Sequence, residues 1–367
     1  MTVDQREYEV VVIGGGPAGL STALYSVRLG HETALVDRGG GRAAMMKDVH
    51  NLVGTTEETS GMELLQLGKD QLESYGCTTL SDRIGSAGRT DDDRFRLCGT
   101  DVDYVADAVV LATGMNDVRP DPPLPRTGRG LHYCLHCDAH LFADESVYVM
   151  GYGESAAHVA AILLNFTDEV DLLTRGDEPE WSDDTDDMLE THPIDVIHED
   201  VTGVQNGSDG WLKALEFEDS VGPRPTGSEG RGPSGSRPPA DDSRTESGDG
   251  TVREYKGGFA LYGADYNNGL ATDLGCDLND DGTVEVDDHG RTSVDGVYAV
   301  GDLTPGHNQV PIALGDGAKA GISIHWALRD FPRDSDLVAE QGPVRSDEVP
   351  GMPDELLEQA VEFHTYD

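Results

Sequence analysis

Two cysteines at C-x-x-C spacing, Cys134 and Cys137, lie in the segment His132-Tyr133-Cys134-Leu135-His136-Cys137-Asp138-Ala139. Thiols so placed close a small disulfide, and in such motifs each makes the other easier to deprotonate. The pair therefore suits two-electron thiol–disulfide exchange. Asp138 follows at once, and a carboxylate there can hold or release the proton that moves with a thiolate. The rival chemistry is zinc, held by Cys134, Cys137 and some of His132, His136 and His140. A ligand set crowded into so short a run seldom reaches tetrahedral geometry, and a structural zinc site would usually bring a second cysteine pair. Cys77, Cys98 and Cys276 stand alone, which argues against a secreted disulfide framework.

Two glycine turns flank this segment. Gly14, Gly16 and Gly19 make G-x-G-x-x-G between an apolar run at residues 8–13 and a helix-periodic run at residues 20–29. Gly14 permits the tight turn, Gly16 lets the backbone approach a pyrophosphate, and Gly19 lets helix and strand pack closely. The helix N-terminus offers oriented N–H groups to the phosphates. The next strand, Thr33–Val36, ends at Asp37, placed to accept hydrogen bonds from a ribose.

The plan then repeats. A strand at Val147–Met150 runs into Gly151, Gly153 and Ala156, a G-x-G-x-x-A turn, then a helix at 157–164 and a strand at Val170–Leu173. This reads as a nicotinamide dinucleotide site. A 2′-phosphate calls for arginine after the second strand, and here Arg175 stands alone before Gly176, Asp177, Glu178, Pro179 and Glu180. NADH, or no nicotinamide at all, fits at least as well as NADPH. The bland reading is a Rossmann domain that only positions the cysteines.

The elements that must carry these groups are βαβ units, and the fold class is α/β with two Rossmann-like dinucleotide-binding domains, the second inserted into the first. A buried strand at 108–112 ends in Thr113-Gly114, another at 296–302 ends in Gly301-Asp302, and Val310–Leu328 reads as mainly helical. The expected division is 1–117 and 257–331 for the first domain, 118–256 for the inserted one, and 332–367 for an acidic tail. Within the inserted domain, 220–250 is rich in Gly, Pro, Ser, Asp and Arg and reads as a flexible surface insertion. A short helix is expected at 353–363, and His364 and Tyr366 more simply fray than stack on a ring.

The chain of 367 residues carries 70 acidic and 26 basic residues, a formal charge of −44. Such a field repels nucleic acid and anionic membranes, which excludes both as expected partners. At molar salt the Debye length shrinks to about 3 Å and the self-repulsion is screened, so the composition reads as the high-salt cytoplasm of a halophile. No apolar run is long enough to span a bilayer, and the N-terminus lacks the pattern of a signal peptide. The run Asp277-x-Asn279-x-Asp281-Gly282 with Asp288 imitates a calcium loop, but between Leu278 and Val284 it reads better as a hairpin turn.

Gly14 to Leu20, Ala112-Thr113-Gly114, the C-x-x-C-Asp run between the glycine turns, and Val300-Gly301-Asp302 follow one another as in low-molecular-weight thioredoxin reductases. The chain resembles that family over residues 8–328, apart from 220–250. The resemblance implies an FAD-dependent enzyme, of a halophile type, that passes electrons through flavin to the Cys134–Cys137 disulfide and on to a thioredoxin-like protein. It implies FAD at Gly14, Gly16, Gly19, Asp37 and Gly114, Asp302 on the ribityl chain, and Gln309 in the segment along the isoalloxazine. Gly151, Gly153, Ala156 and Arg175 would meet an NAD(P) nucleotide, Cys137 would face the flavin, Cys134 would attack the partner's disulfide, and Asp138 would be the acid–base. Homodimerisation and a swing of the inserted domain are family expectations too. Two departures leave other readings open: the missing arginine clamp, and Ser155-Ala156-Ala157-His158 with residues 168–174, which look more like small-molecule dithiol oxidases. These readings are a dithiol oxidase using O2, a reductase fed by ferredoxin, and, lower, a flavin-binding redox sensor.

Overall fold

The computed structural model describes residues 5–56, 58–120, 124, 127–218, 251–329, 331–333, 335–349, 351 and 357. The expected insertion at 220–250 lies outside them, as do His364, Tyr366 and nearly all of the helix expected at 353–363. The chain forms two compact units, Met1–Asn116 with Asp265–Asp367, and Asp117–Ala264.

The first unit begins with β1 (Gln5–Ile13), α1 (Pro17–Arg28), β2 (Thr33–Val36), α2 (Gly61–Ser74), β3 (Thr78–Leu80), β4 (Ile84–Arg89), β5 (Phe95–Gly99) and β6 (Asp103–Leu111). These strands lie in the order β3-β2-β1-β6-β5-β4. β1 is parallel to both β2 and β6, while β5 returns antiparallel against β6. Parallel strands covered on both faces must be apolar throughout, not alternating. In β1, Val10 and Val12 pack with Ala23 of α1, whereas Val11 and Ile13 pack with Phe95 and Val109.

β7 (Met115–Asp117) carries the chain across to the second unit. There follow β8 (Leu131–His132), α3 (Leu135–Asp138), β9 (Val147–Met150), α4 (Glu154–Leu163), β10 (Val170–Leu173), α5 (Asp183–Thr191) and β11 (Ile194–Ile197). β12 (Val201–Asn206), β13 (Leu212–Phe217) and β14 (Thr251–Glu254) form an antiparallel three-stranded sheet. β15 (Gly257–Ala260) then enters the parallel sheet β11-β10-β9-β15-β8. A fully buried carboxylate anchors this unit: Asp171 on β10 accepts from Arg253 Nη1 at 2.7 Å and from Tyr255 Oη at 2.6 Å. The guanidinium also reaches Asp195 at 2.8 Å, so the ion is paired and hydrogen-bonded.

Placement of β15 corrects one expected boundary. Its Gly257–Ala260 pair with β9 from Val147 to Met150, so these residues belong to the second unit and the return falls after Ala264, not before residue 257. The physical reason is local: a Cβ on Gly258 would stand 2.1 Å from the Tyr148 carbonyl oxygen, so only a bare backbone fits there. β16 (Ala264–Tyr266) returns the chain, followed by α6 (Gly269–Leu274), β17 (Val297–Ala299) beside β6, α7 (Val310–Leu328) and α8 (Ser335–Gln341). The calcium-like run is a turn, in which Leu278 bridges Val284 and Asp281 Oδ1 accepts from the Thr283 N–H at 3.0 Å. Among the described residues no helix is long and apolar enough to cross a membrane.

Candidate functional site

Both parallel sheets share one strand plan, and in such sheets ligands bind beyond the carboxyl ends of the strands where the order reverses. In the first unit that point lies between β1 and β6. Gly14 has φ +110°, and a Cβ on it would stand 2.3 Å from the Ala112 carbonyl oxygen; on Gly19 it would stand 1.9 Å from that of Gly14. A Cβ on Gly16 would meet nothing within 4 Å. Two glycines thus serve packing, and the third leaves the backbone open at the mouth of α1. Pro17 starts that helix, no side chain caps it, and no acid occupies its first turn. Unclaimed N–H groups facing an open cradle fit a pyrophosphate.

The other FAD candidates lie in the same unit. Asp37 follows β2, and its Oδ2 accepts from Lys69 Nζ at 2.7 Å. Burial works to raise this carboxyl, but the Lys69 hydrogen bond and the N–H groups of Gly15 and Gly39 outweigh it and hold it below the usual range. Gly114 takes φ +61° just past β6. Asp302, in the 3-10 turn Gly301–Leu303, has Arg42 Nη1 3.5 Å away. Gln309 caps α7 and accepts from Asn51 Nδ2 at 2.8 Å. Lys69, Arg42 and Asn51 carry no motif signal in the sequence; only the fold brings them here.

The second turn copies the first and then departs from it. A Cβ on Gly151 would stand 2.7 Å from the Leu261 carbonyl oxygen, while one on Gly153 would meet nothing within 4 Å. Ala156 is fully buried at the glycine-to-helix contact. Thr174 stands after β10 as Asp37 stands after β2: the N–H of Asp37 donates to Leu80, and that of Thr174 to Ile197. Thr174 is buried, with its hydroxyl 3.2 Å from His198 Nδ1, so the carboxylate of the first copy has no counterpart at this point.

Arg175, the one basic residue expected for a phosphate, is turned inward. Its side chain is 4% exposed, with Nε 3.4 Å from Asp200 Oδ1. Its backbone is left-handed at this point, with φ +56°. Glu154, first in α4, accepts from the Ser182 N–H at 2.9 Å and from the Thr185 hydroxyl, which binds it to the start of α5. Among the described residues of this turn, the backbone is open at Gly153 and the one arginine after β10 points inward.

Cys134 and Cys137 are joined as a disulfide, Cα to Cα 5.3 Å. Cys134 caps α3, its sulfur accepting from the Cys137 N–H at 3.2 Å. Asp138 ends the same turn with its side chain 23% exposed, and its Oδ2 lies 2.7 Å from His132 Nδ1. His132 had appeared in the sequence only as a zinc ligand. Two of the other thiols are held protonated by their surroundings: burial pushes Cys77 up to about 12 and raises Cys276 as well. Among the described residues no group of three or more His, Cys, Asp or Glu is arranged to hold a metal ion.

Residues 8–223 and 228–317 match the pyridine nucleotide-disulphide oxidoreductase family. The thioredoxin reductase of Peptoclostridium litorale is 29% identical over 333 residues, covering 89% of this chain and 99% of that protein. The crystal structure of thioredoxin reductase from Streptococcus pyogenes has a TM-score of 0.75 and 27% identity, over 89% of this chain and 99% of that one. HlmI also reaches 0.75, at 26% identity over 91% of this chain and 97% of its own.

Proposed function

This chain belongs to the pyridine nucleotide-disulphide oxidoreductase family, and on that premise we propose an FAD-dependent thioredoxin reductase-like enzyme that reduces protein disulfides through Cys134 and Cys137. One observation carries the reading: a closed C-x-x-C disulfide with an acid on its own helical turn, in a chain that holds two dinucleotide folds. Bound FAD would supply the two electrons that reduce the disulfide. Gly14, Gly16 and Gly19 with the N-terminus of α1 would hold its pyrophosphate, Asp37 its ribose, and Asp302, Gly114 and Gln309 the remainder.

The chain's own residues do the thiol chemistry. Once reduced, Cys134 attacks a disulfide of a thioredoxin-like partner, forming a mixed disulfide; Cys137 then attacks Cys134, releases the partner as a dithiol and restores the Cys134–Cys137 bond. Asp138 takes up and returns the proton that moves with the Cys137 sulfur.

The open Gly153 supports a dinucleotide donor, and the inward Arg175 with Asp177, Glu178 and Glu180 beyond it favours one without a 2′-phosphate. The proposal extends to a cytoplasmic homodimer: α1, the Leu29 that follows it and α7 expose Tyr25, Leu29, Ile322 and Trp326, apolar surface of the kind a second copy buries. Anaerobic reduction of the flavoprotein in molar KCl tests the reading, with NADH, NADPH and reduced ferredoxin as separate donors and a thioredoxin as acceptor. The expected result is a long-wavelength thiolate–flavin absorption band that Cys137→Ser abolishes. Protein that takes up no flavin would end the proposal, and oxygen consumption with dithiols but no thioredoxin reduction would replace it with an oxidase.

A further inference from the structure

Asp138 does not stand alone. His132 ends β8, whose register against β15 sets it opposite Phe259. Its ring is 4% exposed. It packs edge-on against Phe142 with centroids 5.4 Å apart and tilted against Phe259 at 6.0 Å. The Gly130 N–H donates to its Nε2 at 3.4 Å. An Nε2 that accepts a backbone N–H holds a lone pair, so the ring proton sits on Nδ1, facing Asp138 Oδ2 at 2.7 Å. One carboxylate oxygen is therefore occupied by a donor fixed in a sheet and clamped between aromatic rings, while the acid itself rides on a helix of four residues.

Resting on the function proposed above, we propose that His132 is a positioning residue: its Nδ1–H holds the Asp138 carboxylate in the orientation that exchanges a proton with the cysteine pair. When an external thiolate attacks Sγ of Cys134, an S–S bond forms to Cys134, the Cys134–Cys137 bond breaks, and its electron pair leaves on Cys137. The proton given up by the attacking thiol is carried by Asp138 to that leaving sulfur. A carboxylate free to rotate would meet the sulfur in only part of its orientations, and the loss appears in rate.

The test follows the opening of the disulfide by dithiothreitol in the purified flavoprotein, quenched by alkylation and counted by mass. It compares the wild type with Asp138→Asn, His132→Leu, His132→Asn and the double variant H132L/D138N. General acid–base groups contribute on the order of a hundredfold, so Asp138→Asn is expected to slow opening by about that factor, and His132→Leu by about tenfold. His132→Asn, whose amide N–H replaces Nδ1–H, is expected within about threefold of wild type. The double variant is expected to be no slower than Asp138→Asn, because His132 acts through Asp138 alone. Losses that multiply in the double variant, a wild-type rate in His132→Leu, or His132→Asn as slow as His132→Leu would each overturn the proposal. Should His132→Leu fail to fold, His132→Gln, whose amide reaches the Nε2 position instead, takes its place. A wild-type rate in Asp138→Asn would instead remove Asp138 from the function proposed above, so the two failures are told apart.

Discussion

Replacing Gly16 with alanine should separate phosphate binding from folding. Gly16 sits at φ −76° and ψ 177°, where alanine is at ease, and a methyl group there meets no protein atom within 4 Å. The folding cost is then only the weaker helix cap, about 1 kcal/mol or less. Gly19 is the control: its methyl would stand 1.9 Å from a backbone oxygen, and overpacking of that kind costs about 1–3 kcal/mol or more. At Gly16 the methyl occupies the space through which a pyrophosphate reaches the first N–H groups of α1. Losing one hydrogen bond to a charged group forfeits about 1.5–3 kcal/mol, which is a loss of roughly ten- to a hundredfold in FAD affinity. FAD titration of the apoprotein by fluorescence quenching, beside thermal unfolding of the same sample in molar KCl, reads both quantities. Gly16→Ala that binds FAD as tightly as wild type would refute the cradle. Apoprotein destabilised by more than about 2 kcal/mol would show Gly16 to be a packing glycine like Gly19.

Three further outcomes are expected. Calorimetric titration should find NADPH bound no tighter than NADH, since Arg175 is committed to Asp200; a tenfold preference for NADPH would contradict this. Arg253→Met should cost about 3–5 kcal/mol in denaturant unfolding, because it strands the fully buried Asp171, and a cost under about 1 kcal/mol would show that pair to be dispensable. Glu9 is held at about 2 although its burial opposes this, because His31, the Glu32 N–H and Arg329 favour the charged form. Its folded value lies below its unfolded one, so the stabilisation is complete above about pH 5 and fades as pH falls towards 2. With the side chain 25% exposed, the stabilisation is about 2–3 kcal/mol, and Glu9→Gln should flatten the stability slope between about pH 3 and 5.

Elements set by a local apolar pattern were legible from sequence, as β2, β9, β10 and α7 show in their observed limits. Elements defined by a neighbour were not. β1 extends back to Gln5 because Gln5, Arg6 and Glu7 pair with Asp103, Tyr104 and Val105 of β6, a match no local pattern announces. Gly257–Ala260 became a central strand through the slot beside Tyr148, although its two glycines speak against a strand. The same division holds at the sites. The cysteine pair and glycine turns announce themselves by spacing, whereas Lys69 on Asp37, Asn51 on Gln309 and Arg175 on Asp200 depend on contacts between distant segments. His132 was hidden differently: it lay inside the motif, but a histidine beside two cysteines speaks first of metal, and only its aromatic slot and the Gly130 N–H reveal a donor to Asp138.

The two dinucleotide folds of this chain provide their own controlled comparison. Both keep the packing glycine, the open second position and the same hydrogen bonds at the strand ends, so backbone shape cannot distinguish their ligands. What differs is chemistry at the rim. The first copy presents a helix start with no acid in its first turn and an ionised Asp37, groups suited to a pyrophosphate and a ribose together. The second buries a threonine at the matching place, commits its arginine to Asp200 and ties the first acid of its helix to Ser182 and Thr185. Asp37 also has a partner in Lys69, but it places a carboxylate at the strand end, where the second copy has only the threonine hydroxyl. A tightly held prosthetic group belongs with the first arrangement. A ligand that must arrive, react and leave belongs with the second, because weak rim contacts shorten residence without altering the cradle that aligns the phosphates.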